Sequence, residues 1–70
     1  MPNNYRVKVY AVKTDEVHRI MVPLSEACAP NTTQPSRFMA GLRARQLCAE
    51  RLDAEYSPEH FKVLAIEEVK

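Results

Sequence analysis

A chain of 70 residues with 46% hydrophobic and 27% charged side chains has the make-up of a folded domain rather than a disordered segment. It is short enough to bury only roughly 60% of the surface its unfolded form exposes, so its stability margin is modest and a dimer or a partner would add to it. A formal net charge of +1 excludes a global field that would draw in nucleic acid or an anionic membrane. No apolar run approaches the roughly 20 residues of a membrane span, and the N-terminus lacks the apolar core of a secretion signal. The expectation is one small α+β domain over residues 1–70, in the cytoplasm.

Met1 to Asn4 is a polar lead-in. From Tyr5 to Lys13 the residues alternate: Tyr5, Val7, Val9 and Ala11 fall on one face and Arg6, Lys8, Tyr10 and Val12 on the other, the period of a half-buried strand. Thr14, Asp15 and Glu16 are turn formers, and the apolar run resumes from Val17 to Val22, which predicts a hairpin. Pro23 has no N–H for a ladder and ends the second strand. Leu24 to Pro35 is a connection rich in turn formers, in which Ser25 offers a cap for one helical turn through Ala29. Long loops are often places of contact, so this one is a secondary candidate for a binding surface.

Ser36 to about Tyr56 is the one long periodic segment and predicts a helix, capped by Ser36 or by Thr33 with Pro35 in the first turn. At 100° per residue Phe38, Leu42, Ala49, Leu52 and Tyr56 share a narrow stripe, flanked by Cys48 and Gly41, which is taken as the core face. Arg45 falls at the centre of that stripe and must snorkel or pair. Gln46, Asp53, Glu50 and Arg43 form a solvated side. A second ridge of small apolar residues, Ala40, Ala44 and Leu47, is left over as a surface for a partner, unless the long loop folds over it.

Ser57-Pro58 forbids continuation of the helix. Phe61 to Ile66 is then almost continuously apolar, which suggests a strand covered on both faces or lying centrally, fading through Glu67, Glu68 and Val69. The order ββαβ with a right-handed crossover gives a three-stranded antiparallel sheet in the order 2-1-3, with the helix packed on one face and the face of Arg6, Lys8 and Tyr10 uncovered.

No residue set forms a catalytic or metal signature. Cys28, Cys48, His18 and His60 lie in no close metal-ligand pairs, and they form no known nucleophile and base grouping. The single glycine, Gly41, sits in the helix and builds no phosphate loop. Two cysteines are too few for a disulfide framework and read as buried or half-buried thiols. The sequon at Asn31-Thr32-Thr33 carries no weight without a secretion signal. The expectation is therefore a protein that is not an enzyme and holds no metal or cofactor.

The succession YRVKVYAVK, VHRIMV, helix and FKVLAIEEV resembles the small single-domain proteins that phages and mobile elements encode to bind host machinery, of which anti-CRISPR inhibitors are the best-known group. That resemblance implies action in the host cytoplasm by occupying a surface on a host protein or ribonucleoprotein complex, often where nucleic acid would bind. It carries no site residues over, and the near-neutral charge sets this chain apart from the acidic members that mimic DNA. The leading expectation is a protein-binding inhibitor module, in some conditions a homodimer, acting through Arg6, Lys8 and Tyr10, through Ala40, Ala44 and Leu47, or through the loop. The alternative is a single-stranded nucleic-acid-binding module that uses Arg6, Lys8 and Tyr10, whose interleaved cations and aromatic ring suit phosphates and bases.

Overall fold

Alternation fixes the first strand. In the computed structural model, which describes residues 4–28, 31 and 34–69, β1 (Asn4–Ala11) buries Tyr5, Val7, Val9 and Ala11 on one face. It lies between two antiparallel neighbours, β2 (Glu16–Pro23) and β3 (Phe61–Val69), so the sheet has the expected order β2-β1-β3. Val7 faces Ile20 and Tyr5 faces Val22 across the hairpin, which brings the apolar side of β2 onto the same face. The hairpin turn closes through Asp15 at φ 54°, a left-handed conformation that aspartate tolerates better than most residues.

After Pro23 the chain makes a short 3-10 turn, Leu24–Glu26, and then buries Ala27 completely. The Ser36 N–H donates to the Ala27 carbonyl at 3.0 Å, and Cys28 bridges to Pro35, so the base of the long loop is closed. Ala29, Thr32 and Thr33, on which the expected end of the turn, the sequon and one candidate cap fall, lie outside the described residues.

The helix α1 (Arg37–Arg51) begins as its sequence asks, with the Ser36 hydroxyl accepting from the Met39 N–H at 3.1 Å. Its end comes earlier than the periodicity through Tyr56 implied. Asp53 turns left-handed at φ 52°, the Ala54 N–H donates to Ala49 at 2.9 Å, and the Asp53 N–H donates to Glu50 at 3.0 Å. This is the Schellman ending, which stops the helix before Ser57-Pro58 has any say.

The orientation of α1 corrects part of the expected core stripe: Ala49 and the flanking Gly41 and Cys48 are buried, and Leu52 and Tyr56 pack against the core, but Phe38 and Leu42 do not lie in it. Ala40, Gly41, Ala44, Cys48 and Ala49 are the buried residues, while Phe38 is 75% exposed and Leu42 half-buried. The helix is rotated by roughly a quarter turn from the expected stripe. The ridge of Ala40, Ala44 and Leu47 is thus no free partner surface: Ala40 and Ala44 face the chain's own sheet, and Leu47 packs partly against the core. Small residues win because they let the helix backbone approach the sheet, and a Cβ added at Gly41 would already meet Val63 at 3.4 Å.

β3 is also corrected. It is an edge strand, neither central nor covered on both faces. Its ladder with β1 shifts register between Lys8 and Val9, so that Val63 faces Val9, Ala65 faces Lys8 and Leu64 is the extra residue of a bulge. Phe61, Val63 and Ile66 turn toward the helix, and Leu64 and Ala65 are both exposed on the other side. The continuous apolar run is a bulged strand whose two middle residues face outward.

Two stability changes follow. Ala44→Leu should overpack the contact between helix and sheet and cost about 1–3 kcal/mol in urea unfolding. Asp53→Gly should relieve the left-handed position and raise stability by roughly 0.5 kcal/mol, read as a higher urea midpoint at unchanged slope.

Candidate interaction surface

The helix packs on one side of the sheet, contacting all three strands, and leaves the other side open. Register decides what stands there. β1 contributes Arg6, Lys8 and Tyr10, as expected. Opposite them β2 places Met21, Arg19 and Val17, and β3 places Glu67, Ala65 and Lys62. Facing residues of an antiparallel ladder share a side. Of the strands' carboxylates only Glu67 falls on this side, since Glu16 faces the buried Ala11 and Glu68 the buried Tyr5.

The open face is therefore cationic and aliphatic at once. Arg19 and Lys62 join Arg6 and Lys8, while Val17, Met21 and Leu64 are exposed by 52%, 45% and 56%. Sequence reasoning did not name Arg19 and Lys62, although strand parity was a signal for both. Arg6 approaches Glu67 at 3.7 Å, an exposed pair that adds little to stability. The Tyr10 hydroxyl donates to the Asp15 carboxylate across the hairpin turn. That bond raises the Tyr10 phenol above its ordinary pKa, with desolvation and the carboxylate's charge adding to it.

The other candidates are placed elsewhere. The loop from Leu24 to Pro35 is tied to the helix by Arg43, whose guanidinium reaches the Glu26 carboxylate at 3.1 Å. A cleft of about 260 Å³ lies between the hairpin turn and the end of the helix, with Lys13, Glu55, Ser57 and His60 at its walls. No side-chain hydrogen bond joins these four groups to one another. Tyr56 and Phe61 stack at its floor, with ring centroids 6.2 Å apart. Among the described residues no group of His, Cys, Asp and Glu is arranged to hold a metal ion, and no helix is long and apolar enough to cross a membrane. Comparison of the chain with family models, with curated proteins and with solved structures found no match.

The Tyr10 contact is directly testable. Asp15→Gly keeps a residue suited to φ 54° and removes the carboxylate. In an NMR titration followed at the Tyr10 ring, its phenol should move down toward the ordinary tyrosine range in this variant.

Proposed function

We propose that this chain is a non-enzymatic protein-binding module that occupies an acidic surface of a partner with the open face of its sheet, in the manner of small phage and mobile-element proteins that inhibit host complexes. The observation that carries the reading is the composition of that face: Arg6, Lys8, Arg19 and Lys62 interleave with exposed Val17, Met21 and Leu64. Cations set the encounter and the sign of the partner, and desolvated aliphatic side chains supply the affinity.

A second reading, a single-strand nucleic-acid module, is supported by the same cations. The face offers one aromatic ring, Tyr10, whose hydroxyl is held by a carboxylate that repels phosphate. Base stacking commonly uses two or three rings on such a sheet. The aliphatic content favours a protein.

The test is capture by tagged protein from bacterial lysate with and without nuclease, set beside oligonucleotide binding at two salt concentrations. A partner retained after nuclease, and lost with the Lys8→Glu and Arg19→Glu double variant, is the expected result. Salt-sensitive oligonucleotide binding lost in the same variant, with no nuclease-resistant partner, would replace this reading with the second.

A further inference from the structure

We propose that a second copy of this chain pairs antiparallel with β3, in the one register that makes the strand complementary to itself. The N-terminal part of the helix stripe marked by its period as most apolar, Phe38 and Leu42, is not covered by the chain's own sheet. Phe38, Leu42 and Arg45 instead line a groove of about 230 Å³ with Val63 and Ile66, beside the edge strand β3. That edge carries no strand among the described residues, which is the geometry that invites pairing.

The bulge selects the register. In a regular strand a twofold pairing must match residues of the same parity, but the bulge at Leu64 and Ala65 reverses the parity of the two halves of β3. One arrangement then keeps every facing pair on a common side, with Leu64 opposite Ala65 of the second copy. It sets Val63 against Ile66 on the helix side, and Lys62 against Glu67 on the open side, twice by symmetry. Shifting the pairing by one residue either way sets inward against outward side chains at the centre.

Two further groups are unexplained in a single chain and meet in the pair. The buried Nε of Arg45 has no hydrogen-bond partner, and Glu68 points to the helix side, exposed and without a partner among the described residues. The helix runs against β3, with Arg37 donating to the Ile66 carbonyl at 2.5 Å, Gly41 beside Val63 and Ile66, and Leu52 near Phe61. Arg45 is thus level with the Phe61 to Val63 end, and in the proposed register Glu68 of the second copy faces Phe61. The Arg37 bond, made by an exposed side chain, is the contact a second strand would share or displace.

The other edge does not offer this. β2 has no bulge, and its carboxylate, Glu16, lies on the opposite side from Arg19, so no antiparallel self-pairing brings them together. Pairing at β3 joins the two sheets, places both helices on one side with their Phe38 stripes toward each other, and merges the two open faces into one. The inference goes beyond the proposed function and does not rest on it.

Sedimentation equilibrium on the full chain decides the matter. The expected species has twice the 8.0 kDa of the chain. Lys62→Glu and Glu67→Lys should each raise the dissociation constant by roughly tenfold or more, by setting like charges opposite at both symmetric contacts. An equimolar mixture of the two variants should restore the dimer, because each contact then again joins opposite charges. Unchanged far-UV circular dichroism confirms that each variant is folded. A wild type that stays at 8.0 kDa up to concentrations on the order of millimolar overturns the proposal. So does a dimer that the single variants leave intact, or one that their mixture fails to restore.

Discussion

The close seat of one helix on the central strand is the contact on which the other features depend. Ala40, Ala44 and Cys48 are fully buried, and β1 answers with Val7 and Val9, also fully buried. Interiors are dense, so small residues on the helix are what allow a short chain to bring two backbones together without voids. The seat also sets the rotation of α1. Once the small face is turned inward, Phe38 and Leu42 must look out past the edge of the sheet.

Two incompletely covered surfaces result, and both follow from having a single helix. One is the far side of the sheet, where strand parity gathers cations and aliphatic side chains with the Glu67 carboxylate, and Asp15 holds the Tyr10 hydroxyl. The other is the seam between the helix and the free edge of β3, where apolar surface and an unpartnered arginine nitrogen remain. A chain of this size gains much of its usable surface from such exposures, because among the described residues no second layer covers them. The cations of the open face stand on exposed strands, spread along β1, β2 and β3.

Much of the fold could be read from the residues. Alternation from Tyr5 onward marked both the buried and the open side of β1, and Pro23 and Ser36 marked the limits of their elements. The helix was legible but its rotation was not. Large residues dominate any estimate of an apolar face, and here Phe38 and Leu42 outweighed Ala40 and Ala44, although the small residues are the ones that touch the sheet. Asp53 hid the end of the helix, because a left-handed aspartate leaves a weaker sequence mark than glycine. The bulge at Leu64 was hidden for a related reason: an unbroken apolar run looks the same whether a strand is central or carries an extra residue. The candidate surface was half legible, with Arg6, Lys8 and Tyr10 named from parity, and Arg19 and Lys62 recovered once register was known.

The measurement that tests the central contact most directly is the labelling rate of Cys48. Its thiol is fully buried on the face of the helix turned to the sheet, and burial pushes its pKa up, with Arg51 only partly opposing. In a Cys28→Ser variant, a thiol reagent should modify Cys48 roughly a hundredfold or more slowly in buffer than in strong urea, at a rate set by opening of the fold. Labelling in buffer as fast as in urea would contradict the account, because the helix would then not be seated on its small-residue face.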